Sequence, residues 1–329
     1  MRIDPRVRVF RITGEFARAA KTCGDINAKR ESFFICLNLA ALASLRGKIF
    51  LYPMDFKDRV IFISGASDGI GKQLGIDLAA HGAVVVGCGR SRDRLVETLK
   101  EVRKFSPKSL MIACDIGDAE QVRGMMQKVL ADFGHVDILI NNAGIGMRKP
   151  FADTPLETIE AIMRTNYLGA VYCTHEVLPS MIARGSGHIV NISSGAGKIG
   201  TLNMAGYCAS KFAMNGWSES LYYELKPLGV NVSVVCPGPV STQFDREFQD
   251  SEPRSPPQLF IDAAAVSQAV MGAIERKKFE VVMPRWLALM CWVKRLSPGL
   301  FRVIAQRRFR SDVTKPERVA VSRELPGNQ

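Results

Sequence analysis

Residues 60–71 read VIFISGASDGIG, and this stretch decides the fold. Its first five residues are mostly apolar and β-branched, which is typical of a short buried strand. Glycines follow at Gly65, Gly69 and Gly71, where the chain has to turn tightly and the backbone can approach another group closely. A segment of helical character continues through Leu78. A plain turn would need only one or two of these glycines, whereas strand, glycine-rich turn and helix together predict a helix N-terminus facing a dinucleotide pyrophosphate.

The pattern that starts in this stretch recurs along the chain. Seven short β-rich apolar runs are each separated from the next by a segment of helical length and period. The runs are VIFIS (60–64), AVVVGC (83–88), SLMIAC (109–114), VDILIN (136–141), HIVNIS (188–193), VNVSVVC (230–236) and FEVVM (279–283). Continuous apolar strands alternating with helices are typical of a parallel sheet covered on both faces. We predict an α/β fold with a doubly wound, Rossmann-type parallel sheet of seven strands, formed by one domain over residues 54–284.

Two basic extensions flank this domain. Residues 1–53 carry ten Lys/Arg and four Asp/Glu, and residues 285–310 carry seven Lys/Arg and no acid, so the net charge of +12 lies at the ends. A nucleic-acid-binding domain would concentrate cations on its folded surface, so we predict no nucleic-acid partner. The apolar run at 33–45 is short for a membrane span of about 20 residues and fits a signal-like or interfacial segment. Met54 is an alternative start, which would leave residues 1–53 outside the native fold.

The cysteines and histidines point away from disulfide and metal chemistry. The eight cysteines are scattered without a C-x-x-C pair, and the four histidines are isolated in the sequence. Buried thiols in a reducing compartment are the simplest explanation, so we predict a cytoplasmic protein without a metal ion.

The spacing Gly-x-x-x-Gly-x-Gly resembles the short-chain dehydrogenase/reductase superfamily, and the resemblance extends over about residues 57–284. Residues 141–144 (NNAG) resemble the family segment beside the cofactor, and Asp115 resembles its adenine-contacting acid. The segment 237–242 resembles the P-G-x-x-x-T element that touches the nicotinamide. The resemblance implies a dinucleotide bound by Gly65, Ser67, Asp68, Gly69, Ile70, Gly71, Arg90, Ser91, Asp115, Ile116, Asn142, Ala143, Gly144, Tyr207, Lys211, Pro237, Gly238, Val240 and Thr242.

The end of the second strand bears on which dinucleotide is bound. In Rossmann folds an acid at this place hydrogen-bonds the ribose 2′-hydroxyl, whereas a base pairs with a 2′-phosphate. The sequence here is Gly89-Arg90-Ser91-Arg92, without an acid, and a guanidinium suits a phosphate. NADP(H) is therefore favoured over NAD(H). Asp68 is a departure, because phosphate-preferring relatives often carry a base at that position.

Ketone reduction by hydride requires a proton donor beside the developing alkoxide. Residues 207–211 (YCASK) resemble the family's Y-x-x-x-K, on a predicted helix whose apolar residues Phe212, Leu221 and Leu225 recur at helical spacing. The i, i+4 separation places Tyr207 and Lys211 on one helix face. A nearby ammonium favours the phenolate, so Lys211 is expected to lower the pKa of Tyr207.

Two further residues complete the catalytic set that the resemblance implies. Ser194, thirteen residues before Tyr207, matches the substrate-orienting serine, with Ser193 as the alternative, and Asn166 matches the asparagine that anchors a water of the proton relay through Lys211. The implied activity is interconversion of a ketone and a secondary alcohol. A catalytically idle NADP(H)-binding regulatory protein is the alternative, but it predicts damage to this set, and every position is filled.

The resemblance places the substrate against residues 145–151, 195–204 and 240–260. These stretches contain apolar residues and no obvious anion clamp beyond Arg148 and Arg246, which favours a lipophilic substrate resembling a steroid, retinoid or keto-lipid; the apolar residues are Ile145, Met147, Phe151, Ile199, Leu202, Met204, Phe244 and Phe248. Residues 286–310 combine Trp, Leu and Phe with purely cationic charge and are interrupted at Ser297-Pro298-Gly299. That composition fits a helix pair lying on an anionic membrane surface, and equally a dimer-packing or lid helix. The resemblance also implies a homodimer or homotetramer assembled through the helices that carry Asn166 and Tyr207.

Overall fold

A computed structural model describes residues 56–242 and 259–309, with side chains to residue 307. The predicted extension at 1–53, its apolar run, residues 243–258 and residues 310–329 lie outside the described residues. Most of the expected substrate wall at 240–260 does so too. The domain limits at 54 and 284 stay a prediction.

The centre of the molecule is a sheet of seven parallel strands, which confirms the predicted fold class. The strands are β1 (Val60–Ser64), β2 (Val84–Gly89), β3 (Leu110–Ala113), β4 (Ile138–Asn141), β5 (Gly187–Ile192), β6 (Val230–Pro237) and β7 (Glu280–Met283). Their spatial order is β3-β2-β1-β4-β5-β6-β7, and every neighbouring pair is parallel. The order reverses between β1 and β4, and the carboxyl ends of strands at such a reversal form a ligand crevice.

Helices cover both faces of the sheet. They are α1 (Gly69–Ala80), α2 (Arg92–Arg103), α3 (Ala119–Phe133), α4 (Leu156–Met163), α5 (Gly169–Ala183), α6 (Ala205–Leu225), α7 (Ala263–Glu275), α8 (Arg285–Leu296) and α9 (Pro298–Phe309). Ile61 and Ile63 of β1 pack with α1, α2 and α7, whereas Phe62 between them packs with α3, α5 and α6. Successive side chains of a strand point to opposite faces, so each strand is apolar on both sides.

Helix α6 forms where the sequence predicts it, but one detail of that prediction is wrong. Leu221 and Leu225 are buried against the sheet, whereas Phe212 is exposed. Nine residues separate Phe212 from Leu221, which is two and a half helical turns and places them on opposite sides. Tyr207 and Lys211, four residues apart, both lie on the buried side.

The C-terminal segment forms two consecutive helices, α8 and α9, that meet at Ser297 and Pro298. This pair is the one that the composition of residues 286–310 predicts. Among the residues that the structure describes, no helix is both long and apolar enough to cross a membrane.

Candidate active site

The turn after β1 is shaped by glycines that no other residue could replace without displacing its surroundings. Gly65 has a φ of +69°, in the left-handed region that favours glycine. A Cβ atom at Gly71 would lie 2.1 Å from the carbonyl oxygen of Gly65 and 2.6 Å from Nδ2 of Asn142. Helix and loop therefore touch through backbone atoms, with the Asn142 side chain packed beside them, and the cradle suits the close approach of a pyrophosphate.

Hydrogen bonds hold this turn to the neighbouring strand β4. The Asn142 side chain donates to the carbonyl oxygens of Ser64 (3.0 Å) and Gly65 (3.1 Å). The Ser64 hydroxyl accepts from the backbone N–H groups of Asn142 (3.0 Å) and Ala143 (3.1 Å). The two strand ends at the reversal of strand order are thereby locked together, which fixes the floor of the crevice.

A cleft of about 690 Å³ opens at this edge of the sheet. Its walls include every residue that the resemblance assigns to the dinucleotide except Gly71, and three of the four assigned to catalysis. Gly71 is buried beneath the loop, and Asn166, the fourth catalytic residue, is fully buried outside the cleft wall. The roles of all these residues stay predictions, but the structure brings them to one place.

Tyr207, Ser194 and Lys211 meet in the middle of the cleft. The Tyr207 and Ser194 side chains are hydrogen-bonded to each other. Nζ of Lys211 lies 5.9 Å from the centre of the Tyr207 ring and donates to the Ile192 carbonyl oxygen (2.9 Å). The ammonium is buried, and an ammonium has two further N–H bonds to offer, which would suit ribose hydroxyls.

The electrostatics of this group differ from the sequence-based expectation. Burial raises the pKa of Tyr207 to about 12, against a smaller lowering by the hydrogen bond from Ser194. Burial also lowers the pKa of Lys211 to about 8. The expectation that Lys211 lowers the pKa of Tyr207 is therefore wrong: desolvation of the phenolate dominates, and the lowering contribution comes from Ser194 rather than from Lys211. The phenol is therefore protonated at neutral pH, which is the form that can donate a proton.

The two candidate serines have different surroundings. Ser194 follows β5, lines the cleft and accepts a hydrogen bond from the Ala196 backbone N–H (3.1 Å) besides its bond to Tyr207. Ser193 is buried, and its hydroxyl donates to the Lys211 carbonyl oxygen (3.3 Å). Ser194 is therefore the serine in contact with the predicted proton donor, whereas Ser193 helps to fix β5 against α6.

Asn166 sits in a π-helical segment, Arg164–Leu168, between α4 and α5. Its side chain accepts from the Ile145 N–H (2.7 Å) and donates to the Ile145 carbonyl (2.9 Å) and the Ser210 hydroxyl (3.0 Å). Both amide N–H bonds are thus used to hold the chain after β4 against α6. These contacts describe a positioning residue, and anchoring of a water by Asn166 stays a prediction. Isolated π-helical turns are often found at functional sites.

One end of the cleft is lined by charged residues of the β2–α2 junction. Arg90 and Arg94 line the cleft there with the polar Ser91, and Asp68 and Asp115 also line the cleft. Asp68 caps α1 by accepting from the Gly69 N–H (2.7 Å), and Nη1 of Arg94 lies 3.6 Å from its other oxygen. Sequence reasoning missed Arg94. The available signal was its place in the first turn of the helix that begins at Arg92, directly after the strand end that meets the dinucleotide.

The opposite end of the cleft is apolar, and most of its roof was missed from the sequence. Ile145, Ile199 and Met204 come from the predicted substrate walls. Further apolar contacts are made by the C-terminal helices through Trp286, Leu287, Met290, Phe301, Ile304 and Ala305. Helix α8 packs closely on the residue after Ser194, since a Cβ at Gly195 would lie 2.6 Å from Cδ2 of Leu287. The lid alternative for residues 286–310 thus has a physical basis.

The described cysteines are free thiols, and five of the six are buried. Within residues 56–242 and 259–309, no three His, Cys, Asp or Glu side chains are grouped as metal ligands.

Comparison with known proteins gives consistent results. The family model described as short chain dehydrogenase matches residues 59–253. The ketoacyl reductase HetN of Nostoc sp. strain PCC 7120 is 38% identical over 230 residues, covering 68% of this chain and 78% of HetN. Dehydrogenase/reductase SDR family member 7B of Danio rerio is 34% identical over 267 residues, covering 77% of this chain and 86% of that protein.

Solved structures agree in fold. A variant of actinorhodin polyketide ketoreductase with NADPH is 28% identical, with a TM-score of 0.64 over 70% of this chain and 97% of that one. A short-chain dehydrogenase/reductase from Burkholderia phymatum in complex with NAD has a TM-score of 0.68 at 24% identity, over 75% of this chain and 96% of that one.

Proposed function

The chain belongs to the short-chain dehydrogenase/reductase family and is an NAD(P)-dependent oxidoreductase, and from that premise we propose that it interconverts a ketone and a secondary alcohol. NADP(H) is the proposed cofactor and a lipophilic molecule the proposed substrate. The observation that carries the proposal is the hydrogen-bonded pair of buried Tyr207 and half-buried Ser194 beside Lys211, between a glycine cradle and an apolar roof.

The proposed chemistry divides between cofactor and chain. When bound, the nicotinamide dinucleotide supplies or accepts the hydride. In the reducing direction Tyr207 gives its hydroxyl proton to the carbonyl oxygen as negative charge develops there. Ser194, hydrogen-bonded to Tyr207, would donate to the same oxygen. Lys211 is buried one helical turn away, and its ammonium would hold ribose hydroxyls and stabilise the phenolate left behind.

The preference for NADP(H) rests on the charged end of the cleft. Arg90 and Arg94 line it at the end of β2, where Rossmann folds meet the adenosine ribose. Guanidinium groups bind phosphate through charge-assisted hydrogen bonds. The carboxylate of Asp68 opposes this preference, but its ion pair with Arg94 and its hydrogen bond from the Gly69 N–H reduce its repulsion of a phosphate.

The proposed preference for a lipophilic substrate rests on the apolar end of the cleft. The side chains there are branched aliphatic, thioether and aromatic groups from four separate segments of the chain. Such a surface gains free energy by covering apolar atoms, at about 25 cal/mol per Å² removed from water. A steroid, a retinoid or a keto-lipid has the required apolar area, and the similarity to a ketoacyl reductase fits the last of these.

We further propose a cytoplasmic enzyme that assembles as a homodimer or homotetramer. Helix α6 leaves Phe212 and Tyr223 exposed, and exposed aromatic side chains on one helix are common where copies of a chain meet.

The test is NADPH oxidation by the purified chain with steroid, retinoid, acyl and small diketone substrates, repeated with NADH. Tyr207→Phe should bind NADPH as the unchanged chain does, measured by cofactor fluorescence, yet reduce ketones about a thousandfold more slowly. Tyr223→Phe, an exposed position on the same helix, is the matched control and should keep full activity. Undiminished reduction by Tyr207→Phe would refute its assignment. Tight NADPH binding without reduction of any ketone would support the idle regulatory alternative.

A further inference from the structure

The C-terminal helices α8 and α9 present two different faces. Their inner face lines the apolar end of the cleft, through Leu287 and Met290 of α8 and Phe301 and Ala305 of α9. Their outer face carries large apolar side chains that nothing in the described chain covers. Seven of the fifteen large apolar side chains left exposed among the described residues belong to these two helices. Isolated exposed apolar residues are normal in proteins, but a cluster of this density marks an interaction surface.

The exposed residues of α8 form one stripe. Leu289, Trp292 and Leu296 follow Arg285 at helical spacing, and their exposed fractions are 63%, 58% and 77%. On α9, Leu300 and Val303 are likewise exposed and lie one turn apart. Residues three and four apart share a helix face, so each helix presents a continuous apolar ridge rather than scattered side chains.

The charge around this outer face has a single sign. Arg285, Arg295, Arg302 and Arg307 are exposed, and residues 285–307 contain neither Asp nor Glu. The guanidinium of Arg295 lies 5.9 Å from the Trp292 ring, so an aromatic body and a cation are paired at the surface. Aromatic and aliphatic side chains framed by cations are the composition of helices that lie in the interface of an anionic bilayer.

The charge also argues against a second copy of this chain as the occupant. A two-fold dimer would place the same patch against itself, and its arginines would face one another without acids to pair with. An anionic lipid surface instead offers the opposite charge and an apolar layer at the depth of the tryptophan and leucine side chains.

The same helices control the entrance to the cleft. Trp286 and Ile304 line the cleft and are also 40% and 45% exposed, so they lie on its rim. Helix α8 is tied to the segment after Ser194, because Nζ of Lys294 donates to the Lys198 carbonyl oxygen (2.6 Å) and Lys198 is paired with Glu280 of β7. A surface that bound the outer face would therefore lie directly beside the mouth of the cleft.

We propose that α8 and α9 dock their outer face on a bilayer that contains anionic lipid, and that a lipophilic substrate enters the cleft from this bilayer past Trp286 and Ile304. The docking step is inferred only from the exposed apolar and basic residues of the outer face. The entry step rests on the proposed function, so the two are measured separately.

Docking is tested by flotation of the full chain with phosphatidylcholine vesicles, with and without phosphatidylserine. The chain should bind the anionic vesicles more tightly, and Leu289→Gln/Trp292→Gln/Leu296→Gln should weaken that binding about a hundredfold or more. Val96→Gln/Phe105→Gln/Leu228→Gln removes three exposed apolar residues elsewhere and should bind normally. Unchanged vesicle binding by the Leu289→Gln/Trp292→Gln/Leu296→Gln variant would overturn the proposal. So would sedimentation data showing that this variant loses self-association while it still binds vesicles.

A fluorescence measurement checks the depth of insertion without a disruptive variant. Brominated lipids quench tryptophans that enter a bilayer, and Trp292 should be quenched in anionic vesicles. Trp292→Phe should reduce the quenching, and Trp286→Phe/Trp292→Phe, which also removes the tryptophan at the cleft rim, should abolish it, whereas Trp217→Phe, at a partly buried position on α6, should leave it in place. Equal quenching in wild type and Trp292→Phe would place the contact elsewhere and refute the assignment.

Entry is tested by comparing two ketones in the presence of NADPH. The Leu289→Gln/Trp292→Gln/Leu296→Gln variant should reduce a water-soluble diketone normally, because these residues do not line the cleft, and a vesicle-borne ketone about tenfold more slowly. Equal rates on the vesicle-borne ketone would refute entry from the bilayer. Flotation without reduction of either ketone by the unchanged chain would instead refute the proposed function and leave docking intact.

Discussion

The two ends of the cleft are built in different ways. At the dinucleotide end, backbone atoms of the Gly65–Gly71 turn and of residues 142–144 form the surface, and glycines are required because their neighbours leave no room for a Cβ. At the substrate end, side chains of α8 and α9 form the surface, more than 80 residues after the predicted catalytic Ser194. Backbone surfaces need fixed residues at fixed spacing, whereas side-chain surfaces need only suitable volume. The first kind therefore leaves a readable motif and the second does not.

The two ends also differ in where they keep positive charge. Lys211 is buried beside the dinucleotide end, and burial lowers its pKa to about 8. Arg285, Arg295, Arg302 and Arg307 of α8 and α9 lie at the surface, in contact with water. The buried ammonium of Lys211 thus lowers the free energy of unfolding, because it has lost its hydration, whereas the exposed arginines of the helix pair keep theirs. Removing the buried charge should therefore produce the largest effect on stability.

Lys211→Met should stabilise the ligand-free chain at pH 7. The pKa of Lys211 is lower in the folded chain than in the unfolded chain, so the unfolded state binds more protons and the penalty is fully present below about pH 8. It is relieved as the pH rises from about 8 to the unfolded value of 10.5. The penalty at pH 7 is about 3 kcal/mol. The gain in stability of the variant is smaller than this penalty, because the variant also lacks the hydrogen bond from Nζ to the Ile192 carbonyl oxygen.

The measurement is urea unfolding of both proteins between pH 7 and pH 9. The difference in unfolding free energy should shrink by about 1 kcal/mol over this range. Thiols whose pKa is raised by burial titrate in both proteins and cancel in the difference. Gly75→Ala changes no titrating group and should keep the wild-type pH dependence. A difference that does not vary with pH would show that Lys211 is not desolvated.

Gly71→Ala should break the dinucleotide end while leaving the substrate end intact. The added Cβ would lie 2.1 Å from the Gly65 carbonyl oxygen, so the loop has to shift, and NADPH affinity should fall about a hundredfold. Gly75→Ala is the control in the same helix, since its Cβ would meet nothing closer than 3.5 Å. Affinity of both variants is measured by NADPH fluorescence titration. Normal binding by Gly71→Ala would mean that this turn does not form the cradle.

This contrast explains what the sequence could and could not predict. The seven strands, the glycine turn and the pairing of Tyr207 with Lys211 on one helix face follow from local pattern. The direction of the Tyr207 pKa shift does not, because it depends on how completely distant segments exclude water. The roof formed by α8 and α9 could not be predicted either, because apolar composition suits a lid and a membrane surface equally. The structure gives those helices a cleft-lining face and leaves the outer face exposed.

Leu287→Ala should weaken the substrate end alone. Leu287 is buried against Gly195 and lines the cleft, so its loss opens a cavity and costs about 2 kcal/mol or more of packing. We expect the KM for a lipophilic ketone to rise about tenfold with NADPH affinity unchanged. Leu289→Ala, exposed on the same helix, should leave both unchanged in the absence of vesicles. Steady-state kinetics measure the KM for the ketone and for NADPH. If Leu287→Ala also weakened NADPH binding, the two ends of the cleft would not be independent.

The smallest effects should come from side chains at the rim of the dinucleotide end, where binding again depends on side chains rather than on backbone. Arg90→Gln should weaken NADPH about tenfold and leave NADH unchanged, because only NADPH carries the 2′-phosphate. Asp68→Asn should act in the opposite direction by a few-fold, since asparagine keeps the helix cap but removes a negative charge and releases Arg94. Titration of each variant with both dinucleotides measures the shift. If Arg90→Gln weakened NADH equally, Arg90 would shape the cradle rather than select the phosphate, and the choice of cofactor would rest with Arg94.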